Sequence, residues 1–270
     1  MADGDKSVFG RKVFFIMPGI SLESQLLDRL RLLEYEVYVI DDYRKAKPIL
    51  RKNPDSICYV CINDKLTLMG WHKFMKSFED EGVFSPLDMG VISHHLSEEK
   101  REEFLNELQY DAGFIVQDKT SEYLLHEIIK NLDNLQAKGI RKYVRASCVA
   151  EPQADLLWIK DNRMFKLKII DISSVGIAAK LSNSQANSVY INQIVEACTI
   201  NLRTEQIIVD IKITAIKAAG DFLLVVIMFN SSTPADSVNK IRHYIATNLQ
   251  ETIDSSIKPV DLDRTDYDAV

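Results

Sequence analysis

The chain has 270 residues, with 33 basic against 39 acidic side chains, a net charge of −6 and 46% hydrophobic content, which excludes disordered, collagen-like and coiled-coil classes. At about twice the usual domain size, it suits two cores of roughly 130 residues each. The longest apolar run, Phe222 to Phe229, is far short of the ~20 residues a spanning helix needs. Residues 1–6 also lack the basic and apolar regions of a secretory signal, so the expectation is a cytoplasmic protein without membrane insertion.

In chain order, residues 1–10 read as a flexible N-terminus. Lys12 to Met17 is then a strand, and Ser21 caps a helix with Leu22, Leu26, Leu27, Leu30 and Leu33 on one face. Tyr35 to Ile40 is the next strand, followed by a helical stretch over 43–52 that Asn53-Pro54 stops. Strands over 56–62, 89–93 and 113–116 alternate with helices over 70–79, 97–108 and 120–135. Five repeats of strand then helix predict a parallel sheet wrapped by helices. Cys58 and Cys61 form a C-x-x-C, but inside a strand, where residues three apart face opposite ways. With Cys148 and Cys198 they make four scattered cysteines, too few for a disulfide scaffold in this length, so reduced thiols are expected.

In element order and length, residues 11–135 resemble the receiver domain of two-component response regulators. Receivers carry acidic residues at the end of their first strand to hold magnesium beside a phosphorylated aspartate. Here that position reads Met17-Pro18, although Asp64, Ser93 and Lys119 stand where other parts of such a site fall. The expectation is a degenerate receiver-like α/β domain used for protein contacts.

From about residue 138 the pattern turns to Val, Ile, Thr and polar alternation. Strands are expected over 145–150, 154–160, 164–171, 176–181, 194–201, 206–217 and 222–229, which suggests a closed barrel. Ser232-Thr233-Pro234 opens a helix with Val238, Ile241, Ile245 and Leu249 on its packing face. The stretch 256–270 is acidic and reads as a solvated tail.

Residues 136–145 form a linker and basic arm, and Lys138-Gly-Ile-Arg-Lys-Tyr-Val-Arg-Ala146 holds four bases and no acid in a chain that is acidic overall. Downstream stands Asp171-Ile-Ser-Ser-Val-Gly176, an Asp-x-Ser-x-x-Gly. An Arg-x-x-x-Arg followed by this second motif in a β-rich segment resembles the PilZ domain, the bacterial receptor for cyclic di-GMP, over residues 138–255. The resemblance implies a β-barrel with a closing α-helix. It implies that Arg141, Arg145, Asp171, Ser173 and Gly176 bind the dinucleotide, with Lys142 as an additional phosphate contact. The chemistry is consistent: a guanidinium can grip a phosphate or a guanine edge with paired hydrogen bonds and can stack on a base. A carboxylate accepts from guanine N1 and N2, and glycine permits a tight turn. Asp171 and Ser173 as a plain turn, and Arg145 as a plain ion-pair partner, are the structural alternatives. Ile140 occupies the position tied in the family to one ligand or a stacked pair, and both remain open.

The fold expected is therefore α/β plus β: a receiver-like parallel sheet, then a PilZ-type barrel. His72, His94, His95, His126 and His243 lack metal-ligand spacing, no phosphate loop is present, and no histidine-aspartate cluster appears. No catalytic residue, metal or cofactor is expected, and one short basic stretch offers little to DNA. The resulting expectation is a non-enzymatic cyclic di-GMP effector that passes binding, as an interdomain change, to an unidentified protein partner, with the receiver-like domain as the candidate surface. Motility or virulence is the family association. The alternative is a phosphorylation-dependent response regulator or scaffold whose β domain no longer binds nucleotide.

Overall fold

The computed structural model describes residues 8–19, 22, 26–63, 65–93, 102, 110–116, 120–160 and 162–267. It divides into two compact units, Met1–Lys142 with Gln250–Val270, and Tyr143–Leu249. The expected cap at Ser21, all of the expected helix over 97–108 except residue 102, Asp64, Lys119, His94 and His95 lie outside the described residues.

The first unit is built on five strands: β1 (Lys12–Ile16), β2 (Val37–Ile40), β3 (Ser56–Ile62), β4 (Asp88–Ser93) and β5 (Gly113–Val116). They pair in the order β2-β1-β3-β4-β5, every pairing parallel. This is a doubly wound order, with its topological switch point between β1 and β3. Helices α1 (Asp28–Leu32), α2 (Ala46–Arg51), α3 (Leu68–Glu79) and α4 (Ser121–Asn134) accompany the strands. Because both faces are covered, the strands read as continuous apolar runs: Val13, Phe14, Phe15 and Ile16 are all fully buried. Leu22, Leu26, Leu27 and Leu30 are buried as expected, but Leu33 follows the end of α1 and is 43% exposed. Cys58 and Cys61 are both buried thiols outside any disulfide, and only Cys61 joins the core on the α4 side. Burial pushes the Cys58 thiol up, the state expected of packing residues.

The acidic tail differs from its expectation. Tyr267 is only 3% exposed and stands edge-on to Phe74 at 5.4 Å and Tyr43 at 6.3 Å. Its hydroxyl donates to Asp263 at 2.8 Å and lies 3.2 Å from Ser77 Oγ. The tail is thus a strap on the first unit. Proline supplies one anchor: Pro48 has no N–H to give the Arg44 carbonyl, which instead accepts from Asp263 N at 2.9 Å. That missing donor also delays α2, so the stretch expected as one helix from residue 43 begins as a 3₁₀ turn over Tyr43–Lys45.

The second unit holds β6 (Arg145–Ser147), β7 (Asp155–Lys160), β8 (Arg163–Ser173), β9 (Gly176–Ser182), β10 (Ile194–Leu202), β11 (Glu205–Ala219) and β12 (Phe222–Phe229), then α5 (Ala235–Ser255), whose first part lies in this unit. The order β8-β7-β10-β11-β12-β9 closes through a further β8–β9 pairing, giving a six-stranded antiparallel barrel without open edges. β6 extends the side of β8 that β7 leaves: β7 ends its pairing at Lys168, and β6 pairs from Asp171 onward. Inward residues of all strands, with Ile241, Tyr244 and Ile245 of α5, form one buried cluster. Alternation in β8 runs Phe165, Leu167, Ile169 and then Ile172, because a bulge lies between Ile169 and Asp171. β6 is shorter than its expected span of 145–150, since residues 149 and 150 turn toward β7. No helix among the described residues is long and apolar enough to cross a membrane.

Candidate ligand-binding site

β6 and β8 join the two sequence motifs. Their antiparallel register sets Arg145 opposite Ser173 and Ser147 opposite Asp171. Arg145 Nη1 lies 3.3 Å from Asp171 Oδ1, with the side chains 45% and 31% exposed. A single long contact in water contributes at most ~1 kcal/mol, so a better anion or base can compete for either partner. The β8 bulge matters here: it breaks the strict in-and-out alternation just before Asp171, whose carboxylate stays partly exposed beside a buried Ile172.

Ser173 and Gly176 close the hairpin from β8 to β9 and face each other across it. Ser173 is 4% exposed, and its hydroxyl donates to the Gly176 carbonyl at 3.0 Å and stands 3.4 Å from Val175 N. Its place is inside the turn. Gly176 departs from the reading of a tight-turn glycine, because its φ is not positive. Space is the reason for it: a Cβ there would lie 2.2 Å from the Ile227 carbonyl oxygen of β12, where Gly176 pairs with Met228. Both structural alternatives weighed for these residues are therefore present, an ion pair for Arg145 and a turn for Ser173, and they hold the two motifs side by side.

Arg141 and Lys142 are exposed and precede the division at Lys142/Tyr143, whereas Arg145 follows it. The arm carrying Arg141 is not free, and residues 8–10 are not a loose terminus. Arg141 N donates to Val8 O at 3.0 Å, and Arg11 N donates to Ala137 O at 2.8 Å, so 8–11 and 137–141 run antiparallel. The Arg141 guanidinium lies 4.2 Å from the centroid of the Phe9 ring, and Lys138 Nζ lies 4.2 Å from that of Tyr35. Sequence reasoning missed Phe9, and no local signal marks it, since the pairing joins the two ends of the first unit.

At the switch point of the parallel sheet, the geometry offers little to a phosphoryl group. Met17 adopts φ 53°, its carbonyl accepts from Asn63 Nδ2 at 3.1 Å, and Pro18 follows. Among the described residues no group of three or more His, Cys, Asp or Glu side chains is placed to hold a metal. With Met17-Pro18 in place of the acidic pair that a receiver uses to hold magnesium, incubation with acetyl phosphate and magnesium is expected to leave the chain's mass unchanged. A gain of one phosphoryl group, mapped to Asp64, would restore the response-regulator alternative.

No protein-family model and no curated protein matches the chain. Solved structures similar to parts of it include the PilZ domain with c-di-GMP of YcgR from Escherichia coli, at 14% identity and TM-score 0.38 over 43% of this chain and 96% of that one. The K. pneumonia MrkH–c-di-GMP complex is similar at 14% identity and TM-score 0.40 over 44% of this chain and 60% of that one. Vibrio cholerae chemotaxis protein CheY4 is similar at 20% identity and TM-score 0.38 over 47% of this chain and 98% of that one. The match to MrkH spans less than two thirds of that protein's length.

Proposed function

We propose that the chain is a non-enzymatic receptor for cyclic di-GMP. The observation that carries the reading is the β6–β8 register, which sets Arg145 of the first motif against Ser173 and Asp171 of the second. Arg145 and Arg141 supply guanidinium forks for phosphates or guanine edges, Lys142 adds a phosphate contact, and Asp171 accepts from guanine N–H groups. Ser173 and Gly176 shape the hairpin that presents them. Arg141 and Arg145 lie in the segment where the chain passes from the first unit into the second, so ordering that segment on the ligand constrains the chain that joins the units. That constraint is the signal passed to a protein partner, which the receiver-like unit would engage in a cytoplasmic, bacterial setting, with motility or virulence as the process under control.

Calorimetric titration of the full chain tests the reading. Micromolar or tighter binding of cyclic di-GMP, with no heat from GTP, is expected, and the titration also counts the ligands bound at the site next to Ile140. Absence of binding would leave a scaffold whose β domain no longer takes nucleotide.

A further inference from the structure

The pairing of 8–11 with 137–141 is built, not incidental. Two glycines face each other at its centre, and neither position has room for a side chain. A Cβ on Gly139 would stand 2.5 Å from Phe9 C and 2.6 Å from Gly10 N, and one on Gly10 would stand 2.6 Å from Ala137 O. This close approach brings the Phe9 ring, itself 58% exposed, under the Arg141 guanidinium at 4.2 Å. Exposing a large ring costs solvation free energy that a core position would recover, yet here the ring backs a cation. Among the described residues the guanidinium has no other partner. One face of Arg141 therefore rests on an aromatic platform, and its edge stays available for hydrogen bonds.

We propose that Phe9 is a positioning residue of the nucleotide site: it holds the Arg141 guanidinium flat, so that a guanine base can stack on the outer face or a phosphate can meet the edge. This rests on the cyclic di-GMP reading above. Arginine has many rotamers, and restricting them before the ligand arrives lowers the entropy lost on binding. The ring also adds a cation–π attraction that strengthens when a ligand covers the pair and excludes water.

The test is titration of the full chain and of Phe9→Ala, Phe9→Leu and Phe9→Trp with cyclic di-GMP, with hydrogen exchange at the Arg141 amide measured without ligand. Phe9→Ala is expected to weaken binding roughly tenfold, the size of an aromatic contact to a desolvated cation. Phe9→Leu should weaken it similarly, because it keeps bulk and loses the π face, whereas Phe9→Trp should bind within about twofold of the parent. Exchange at Arg141 should be unchanged in Phe9→Leu, which separates positioning of the side chain from loss of the backbone pairing. Wild-type affinity in Phe9→Ala would overturn the inference while leaving the receptor reading intact, and tighter binding would overturn it in favour of a latch that the ligand must open. If the parent chain itself binds no cyclic di-GMP, the receptor reading falls and this inference falls with it.

Discussion

Replacing Arg145 with alanine is expected to weaken cyclic di-GMP binding at least a hundredfold. The side chain makes one exposed contact of 3.3 Å with Asp171, worth at most ~1 kcal/mol. Against a phosphate or a guanine edge the same fork would make two charge-assisted hydrogen bonds, each contributing ~1.5–3 kcal/mol. The balance favours the ligand by a few kcal/mol, and a hundredfold is about 2.7 kcal/mol. Arg145→Lys keeps the charge and loses the fork, so it should recover only part of the affinity. Asp171→Ala has two opposed effects: it removes an acceptor for guanine and releases Arg145 from its resting partner. A loss smaller than that of Arg145→Ala is therefore expected. Calorimetry on the three variants decides the matter, and an Arg145→Ala chain that binds like the parent would remove the site from β6 altogether.

Local chemistry made much of the fold legible. The strands Ser56–Ile62, Gly113–Val116 and Phe222–Phe229 have the bounds read from the sequence, because each apolar run ends at a turn residue or a change of pattern. Thr120, whose hydroxyl accepts Tyr123 N–H, opens α4 where the helix was expected to start, whereas α3 begins at Leu68 under a Thr67 cap, two residues before the expected start at Gly70. The bulges in β8 and β10 left no such mark. In β10 the register shifts between Val195 and Cys198, with Ala197 at φ 52° and its N–H donated to Asp210 Oδ1 at 2.8 Å, a conformation set by a side chain on the neighbouring strand. For the candidate site, the resemblance implied that Arg145 and Asp171 serve one ligand, and in the structure the two side chains lie 3.3 Å apart as an ion pair. Phe9 and Gly139 were invisible because their meaning is pairwise: each looks ordinary until the other is beside it. The tail failed for the same reason. Its charges suit water, and composition gives them all the weight, while one buried tyrosine decides where the segment lies.

That tyrosine and the glycine under it carry the other large effect. A Cβ on Gly70 would stand 1.9 Å from the Tyr267 carbonyl oxygen, so Gly70→Ala cannot coexist with the strap in its present path. Alanine is otherwise the better residue in α3, by up to ~1 kcal/mol. The sign of the substitution therefore depends on the tail: destabilising by ~1–3 kcal/mol in the full chain, and neutral to stabilising in a chain ended after Ser256. Tyr267→Ala should cost the first unit ~3 kcal/mol, the usual range for a large aromatic removed from a core, since its ring is packed against Phe74 and Tyr43. Acid should act in the same direction. Partial burial pushes the Asp263 carboxyl up, but hydrogen bonds from Thr265 and Tyr267 outweigh that, and its pKa lies below the ordinary value. A lowered folded value means the contribution is present above the unfolded pKa, near 4, and is lost as pH falls through the folded one. Hydrogen exchange of the β1 and β3 amides, which reports unfolding of the first unit separately from the barrel, is the measurement. Unchanged exchange in Tyr267→Ala, or a Gly70→Ala effect of the same sign with and without the tail, would show that the strap rests on the first unit without holding it.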